Sequence, residues 1–134
     1  MMAHHLKDLT IELEEKVGTV AAATEALGKA GVNIEGICGF AVGGKGVAHV
    51  LVEDSGKARQ ALQGAGARVT GEQDVVVMEI EDRPGSLGKL TRKIADAGVN
   101  LNAVYLATRT RVVIGAQDVE KLRAAAGEGA ASRR

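Results

Sequence analysis

The sequence predicts an α+β protein built from two copies of one small unit. Residues 9–38 recur without a gap as residues 76–105, and eight of these thirty residue pairs are identical. Roughly two or three identities would be expected by chance at ordinary residue frequencies. Within each copy, apolar residues occur first at every second position and then at helical spacing, which indicates a strand followed by a helix. We therefore expect one unit at residues 1–72 and a second at residues 73–134.

Each copy begins with a strand that has one buried face. Leu9, Ile11 and Leu13 alternate with polar residues, and Val76, Met78 and Ile80 repeat the pattern, which is typical of a half-buried strand. A charged turn that contains a glycine, Gly18 or Gly85, then leads into a helix. The apolar residues of each helix fall on one face: Val20, Ala23, Leu27 and Ala30 in the first copy, and Leu87, Leu90, Ile94 and Ala97 in the second.

A glycine ends each of these helices, and a hairpin follows. Gly31 and Gly98 stand just after the helix, where a left-handed backbone is easiest without a Cβ atom. The second strand is expected to open at residues 32–34 or 99–101 and to continue to about Val42 or Ala107. Residues 43–46 predict a turn before a third strand at residues 47–52, and residues 108–110 predict a shorter turn before residues 112–114.

The second helix of each unit is expected to begin after an aspartate. Asp54 and Asp118 can each accept a hydrogen bond from the first helical turn. Apolar residues follow at helical spacing, namely Ala58, Ala61, Leu62 and Ala65 in one unit and Val119, Leu122 and Ala126 in the other. A fourth strand, from Arg68 to Thr70 or slightly beyond, completes the first unit. The order βαββαβ predicts a ferredoxin-like unit, with both helices on one face of an antiparallel sheet.

The second unit lacks the pattern for its last strand. Its final residues, about 128–134, are alanine, glycine, serine and charged residues, which predict a disordered tail. In this topology the fourth strand lies beside the first, so the strand at residues 76–80 is left with an unpaired edge. We expect that edge to pair with the other unit or with a second chain, as in a homodimer. Val75 and Val77 make the second face of this strand apolar as well, which favours its burial.

Composition and charge exclude several classes of protein. Seventeen Lys and Arg residues balance seventeen Asp and Glu residues, without the positive patch that nucleic acid or an anionic membrane requires. RNA-binding sheets stack bases on exposed aromatic rings, and Phe40 and Tyr105 are the only Phe, Tyr or Trp residues. The apolar runs are too short to span a membrane, and the N-terminus lacks the apolar core of a signal peptide. We expect a soluble, cytoplasmic protein that needs no cofactor or metal.

Two segments of the second copy form a recognisable combination. Residues 81–87 read Glu-Asp-Arg-Pro-Gly-Ser-Leu, and after a predicted helix residues 97–101 read Ala-Gly-Val-Asn-Leu. Together these segments resemble the ACT domain family of small-molecule-binding regulatory modules. The first copy lacks the proline at its turn, residues 16–20, but its Ala-Gly-Val-Asn-Ile segment at residues 30–34 is complete. The resemblance covers nearly the whole chain.

The resemblance implies a function as well as a fold. ACT domains bind a small ligand, usually an amino acid, between two copies of the fold, and its occupancy regulates an enzyme or a regulator. The chain is similar to a free-standing tandem ACT protein without a catalytic or DNA-binding domain. We therefore expect a non-catalytic regulatory protein that senses an amino acid at an interface between ACT units and can act on a partner enzyme.

An amino acid needs hydrogen-bond donors for its carboxylate and acceptors for its ammonium. Amide groups at the start of a helix lack intrahelical partners and favour an anion, and a glycine allows close approach. Asn100 offers both a donor and an acceptor, and Asp82 could meet the ammonium. The expected ligand-binding residues are Asp82, Arg83, Pro84, Gly85, Ser86, Leu87, Asn100 and Leu101 in the second unit, and Glu15, Gly18, Thr19, Val20, Asn33 and Ile34 in the first.

The same residues can also be explained without a ligand. Glycine is common in strand-to-helix turns, Thr19 and Ser86 can cap helices, and Asn33 and Asn100 can complete the turn after a helix-ending glycine. The chain would then be a structural assembly module that pairs with a partner enzyme through its exposed strand edge. The sequence alone leaves both hypotheses open.

Four further features are interpreted as structural. His49 has no second ligand at a metal-binding spacing and is expected to be a packed or rim residue on a strand. Residues 43–46 are glycine-rich but lie between strands, so they predict a hairpin turn and not a phosphate loop. The acidic pairs at residues 14–15 and 81–82 are neighbours in turns, not carboxylates opposed across a cleft. Cys38 lacks a nucleophile motif and is expected to be buried.

Overall fold

The computed structural model describes residues 5–127, which form two compact units, residues 5–73 and 74–127. The N-terminal unit contains β1 (Lys7–Glu14), α1 (Thr19–Lys29), β2 (Gly36–Val42), β3 (Lys45–Val52), α2 (Ser55–Gly64) and β4 (Arg68–Asp74). The C-terminal unit contains β5 (Val76–Glu79), α3 (Ser86–Asp96), β6 (Ala103–Ala107), β7 (Arg111–Gly115) and α4 (Val119–Ala126). The predicted α+β class, with antiparallel strand pairs and helices, is confirmed.

The N-terminal unit has a four-stranded order, β4–β1–β3–β2. β3 pairs antiparallel with both β1 and β2. Alternate residues of β1 and β3 point to one face, where they join Ala23 and Leu27 of α1 and Ala58 and Leu62 of α2 in a single buried cluster. Both helices therefore cover the same face of this sheet, because the apolar stripe of each helix is buried there.

The C-terminal unit repeats this packing with fewer strands. Its order is β6–β7–β5, and both pairings are antiparallel. Val76, Ile114, Ile94 and Leu122 form the centre of its buried cluster. Position 94 in α3 is the counterpart of position 27 in α1, so the repeat in the sequence corresponds to a repeat in the core.

Each of the first helices ends in a Schellman motif. Gly31 and Gly98 have φ angles of 77° and 78°, as the sequence predicts. The amide of Val32 donates to the carbonyl of Leu27 at 2.9 Å, and the amide of Val99 donates to that of Ile94 at 3.3 Å. These bonds satisfy carbonyls at the helix end.

The expected start of the second strand is wrong by several residues in both units. β2 begins at Gly36 and β6 at Ala103, because the amides of Val32 and Val99 close the helix ends. Asn33 and Asn100 therefore lie in connections and not on strands. The fourth strand, β4, runs to Asp74, beyond the expected Thr70.

The turns and caps mostly follow the predictions. Asp54 and Asp118 cap α2 and α4, with Oδ1 accepting from the amides of Lys57 at 3.0 Å and Lys121 at 3.1 Å. Residues 43–46 form the expected hairpin, but its loop is only Gly43 and Gly44. The loop of residues 108–110, expected to be the shorter of the two, is therefore longer by one residue.

β5 is at the end of the strand order of the C-terminal unit, next to β7. It pairs with β7, and no other strand among the described residues of this unit pairs with it. Val75 and Val77 are only 1% and 5% exposed, so the predicted burial of both faces is confirmed. The expected tail at about residues 128–134 lies outside the described residues.

Candidate functional site

The two glycine turns have the same backbone geometry. Gly18 is the N-cap of α1 with φ 94° and ψ −12°, and Gly85 is the N-cap of α3 with φ 92° and ψ −13°. Both conformations are left-handed, which residues with a Cβ atom adopt at a cost. Their carbonyls accept from the amides of Ala22 and Lys89, each at 2.9 Å. The repeat therefore preserves a turn of defined shape even though only one copy contains proline.

Thr19 and Ser86 are not the helix caps. Each is the first helical residue, and neither N-cap makes a side-chain capping bond. The hydroxyl of Thr19 donates to the carbonyls of Glu14 at 2.8 Å and Lys16 at 3.1 Å, which fastens the turn. The amide of Ser86, expected to be available to a ligand, donates instead to the carbonyl of Arg83 at 3.2 Å.

Amides of the next residues remain available for an anion. In the described part of the chain, the amides of Val20 and Ala21 in α1 and of Leu87 and Gly88 in α3 have no backbone acceptor. They belong to the first turn of a helix, where amides lack intrahelical partners and the helix dipole favours negative charge.

A polar cleft of about 250 Å³ surrounds the Pro-Gly turn of the C-terminal unit. Its charged lining residues are Glu79, Glu81, Arg83 and Lys89, and Ile80, Pro84, Gly85 and Ser86 complete it. Glu81 Oε2 lies 3.4 Å from Arg83 Nε, and both side chains are exposed. Groups of both signs thus border one small volume, which suits a ligand that carries both charges.

An apolar pocket of about 400 Å³ lies beside the glycine turn of the N-terminal unit. Its floor includes Gly39 of β2 and Ala48 of β3, and Val20 of α1 and Phe40 of β2 border it. The charged turn residues Glu14, Glu15 and Lys16, together with Thr19, line its polar end. Small-molecule sites are commonly apolar cavities with a few polar groups at defined positions.

The structure brings together only part of the predicted site. Residues at the polar cleft are Arg83, Pro84, Gly85 and Ser86, and residues at the apolar pocket are Glu15, Thr19 and Val20. The remaining predicted residues, Asp82, Leu87, Asn100, Leu101, Gly18, Asn33 and Ile34, line neither cavity. Ile34, Leu87 and Leu101 pack against the cores, and Asn33 Nδ2 donates to Glu35 Oε2 at 2.8 Å.

Several lining residues were not predicted. Lys89 lies one helical turn beyond Gly85, and that spacing could have suggested it. Gly39 had a weaker signal, because it lies one residue beyond the repeated segment and the residue 67 positions later is Leu106. It could have been found only by comparing the two copies beyond the repeated segment, that is, after residues 38 and 105.

A buried polar cluster lies on the sheet face opposite the helices. Asp8 is fully buried, and its Oδ2 is 2.9 Å from His49 Nδ1 and accepts from Gln73 Nε2 at 3.3 Å. His49 is therefore a packed residue, as expected. Cys38 was expected to be buried but is only partly so. It pairs with His49 across β2 and β3, and its partial burial raises the pKa of its thiol. A raised pKa opposes formation of the thiolate, which is the nucleophilic form of cysteine.

Two features are absent from residues 5–127. No helix there combines the length and apolar character needed to cross a membrane. No three His, Cys, Asp or Glu side chains in this range are arranged to hold a metal ion.

Gly85→Ala is expected to lower the free energy of unfolding by about 1–2 kcal/mol, because alanine must adopt a left-handed backbone. Steric clash does not contribute to this loss, since a Cβ atom added at Gly85 would meet no atom within 4 Å. Gly88→Ala is the matched control, because Gly88 also has open space but lies inside α3, where alanine stabilises by about 0.5–1 kcal/mol. Urea denaturation of both variants checks this, and equal effects would contradict the strained turn.

The fold is similar to that of several proteins of known structure. The chain is similar to protein BT0572 from Bacteroides thetaiotaomicron, with a TM-score of 0.78, 29% identity and coverage of 92% of this chain and 88% of that one. It is also similar to the regulatory subunit of aspartate kinase from Thermus thermophilus in its ligand-free form, with a TM-score of 0.71, 17% identity and coverage of 96% and 95%. It is similar as well to the regulatory subunit of aspartate kinase from Thermus flavus, with a TM-score of 0.70, 16% identity and coverage of 96% of this chain and 94% of that one. No protein-family model and no curated protein matches the sequence.

Proposed function

We propose that this chain, which has the ACT-domain fold seen in regulatory subunits of aspartate kinase, is a regulatory protein that binds a free amino acid. Binding takes place at the glycine turns, at an interface between ACT units, and the chain has no catalytic role of its own. Both aspartate kinase structures are of regulatory subunits, which supports a regulatory role over catalysis.

The observation that carries this proposal is the polar cleft at Gly85. Arg83 and Lys89 can meet a carboxylate, and Glu79 and Glu81 can meet an ammonium. The amides of Leu87 and Gly88 add donors at the start of α3. Because these groups surround about 250 Å³, the cleft suits the charged end of an amino acid.

Binding of the amino acid can act as a signal because it is thermodynamically linked to the arrangement of the ACT units. A ligand that binds one arrangement of the units better than another must favour that arrangement, and the effect is reciprocal. A partner enzyme that recognises the favoured arrangement would then respond to the amino acid. The unpaired edge of β5 offers a surface on which a second copy of this chain could pair as a homodimer.

A thermal-shift panel of the standard amino acids is expected to identify at least one that raises the melting temperature. At a hundredfold excess over Kd, binding adds about 2.7 kcal/mol to the stability of the native state. Lys89→Ala should weaken that response, whereas Arg92→Ala should not, because Arg92 lies on the same helix but does not line the cleft. A panel in which no amino acid stabilises the protein would refute the proposal.

A second function, a structural assembly module without a ligand, is favoured by the edge of β5 alone. Native mass spectrometry of the purified chain distinguishes the two functions, since it reports subunit number and bound small molecules together. A dimer that binds no amino acid, and whose assembly Lys89→Ala leaves unchanged, would favour the assembly module.

A further inference from the structure

We propose that the N-terminal unit accepts an amino acid with an aliphatic side chain, and that this side chain occupies the apolar pocket over Gly39 and Ala48. This inference rests on the proposed function and names the ligand class for one of its two turns. The polar cleft of the C-terminal unit, by contrast, suits the charged end of a ligand.

The pocket exists because two facing residues on neighbouring strands are small. Gly39 of β2 pairs with Ala48 of β3, so no long side chain fills the space beside α1. In the C-terminal unit the residue 67 positions after Gly39 is Leu106, and Leu106 pairs with Val112. That pair has larger side chains than Gly39 and Ala48, and the polar cleft has no lining residue from β6 or β7.

Exposed apolar side chains border the pocket. Val20 and Ile37 are 59% and 43% exposed, although each would gain free energy from burial, by about 25 cal/mol for every Å² removed from water. A volume of about 400 Å³ lies near the lower end of the range of roughly 300–1,000 Å³ for small-molecule sites. The pocket therefore suits a compact aliphatic group and not a large cofactor.

The charged groups at the turn end of the pocket complement a zwitterion. Glu14 and Glu15 can accept from an ammonium, and Lys16 with the amides of Val20 and Ala21 can donate to a carboxylate. Lys16 Nζ lies 3.3 Å from Glu14 Oε2, but both side chains are exposed, and such surface pairs are weak enough to rearrange. A ligand with both charges at one end and an aliphatic chain at the other satisfies the turn and the pocket together.

Isothermal titration calorimetry on the full chain tests this inference with L-leucine, L-isoleucine and L-methionine against L-serine, L-aspartate and L-lysine. We expect the aliphatic group to bind at least about tenfold more tightly than the polar group, since each methylene in an apolar site contributes about tenfold or more. Gly39→Leu copies Leu106 into the pocket and should weaken L-leucine binding by at least about tenfold.

Two further variants keep the inference testable if Gly39→Leu does not fold. A Cβ atom at Gly39 would lie 3.2 Å from Ala48 Cβ and the Val47 carbonyl, so circular dichroism must confirm that Gly39→Leu is folded. Val20→Asn changes an exposed pocket residue and should also weaken L-leucine binding. Val17→Asn is its matched control, because Val17 is fully exposed and does not line the pocket, and its affinity should equal that of the unchanged protein.

The outcomes separate the two proposals. Binding of polar amino acids alone, or L-leucine binding that neither Gly39→Leu nor Val20→Asn weakens, overturns the aliphatic pocket but leaves the proposed function standing. Absence of binding by every amino acid overturns both. Tighter aliphatic binding that both variants weaken supports both.

Discussion

Ile94→Ala is expected to lower the free energy of unfolding by about 2–5 kcal/mol, because it removes a fully buried side chain and leaves a cavity. Ile94 has no exposed surface, and it packs with Val76, Ile114 and Leu122 in the core of the C-terminal unit. Native proteins have only roughly 0.05–0.15 kcal/mol of stability per residue. A loss of this size is therefore a large fraction of what so small a unit can supply.

The repeat supplies a matched comparison for this prediction. Leu27 occupies the corresponding position of α1 and is 1% exposed, so Leu27→Ala should cost a similar amount. Val17→Ala is the control, since Val17 is fully exposed and surface changes are usually within about 0.5 kcal/mol. Urea denaturation measures the three losses, and hydrogen exchange locates them. A loss for Ile94→Ala no larger than that for Val17→Ala would contradict the core assignment.

His49→Leu is expected to lower the free energy of unfolding by about 1.5–3 kcal/mol, the usual contribution of a hydrogen bond to a charged group. The variant removes the ring nitrogen that lies 2.9 Å from the fully buried carboxylate of Asp8. A buried carboxylate that loses a partner is costly because water cannot replace it. Thermal and urea denaturation of the variant measure the loss.

A second substitution distinguishes the polar bond from simple packing. Asp8→Asn removes the buried charge, so the double variant Asp8→Asn, His49→Leu should be more stable than His49→Leu alone. If the two variants are equally stable, the loss comes from the shape of the histidine ring and not from its bond to Asp8. Neither variant alters a cavity-lining residue, because Asp8 and His49 line neither the polar cleft nor the apolar pocket.

Much of the fold was predictable because helices, caps and turns depend on neighbouring residues. Asp54 and Asp118 cap helices through amides three positions away, and Gly31 and Gly98 end helices through their own backbone conformation. The start of the second strand was mispredicted for a related reason. Val32 and Val99 look like strand residues, but the end of the preceding helix uses their amides.

The candidate site was less predictable because its residues come from separate elements. The sequence indicates the glycine turns and their charged neighbours, and the structure places Arg83, Gly85, Glu15 and Thr19 at or beside the cavities. Asn33 and Asn100, expected beside the turns, line neither cavity. The motif shows that these residues recur, but it does not fix their distance from a turn.

The sequence by itself determined the duplication, the order of helices and strands within each copy, and most of the core residues, although Val20 and Ala97 of the predicted helix faces are exposed. These properties follow from the periodicity of apolar residues and from local turn chemistry. Only the tertiary structure decided that Gly39 and Ala48 face each other and open a pocket in one copy, and that Asp8 and His49 meet inside the protein. Such pairs depend on the register between strands, which brings together side chains that are distant in the chain.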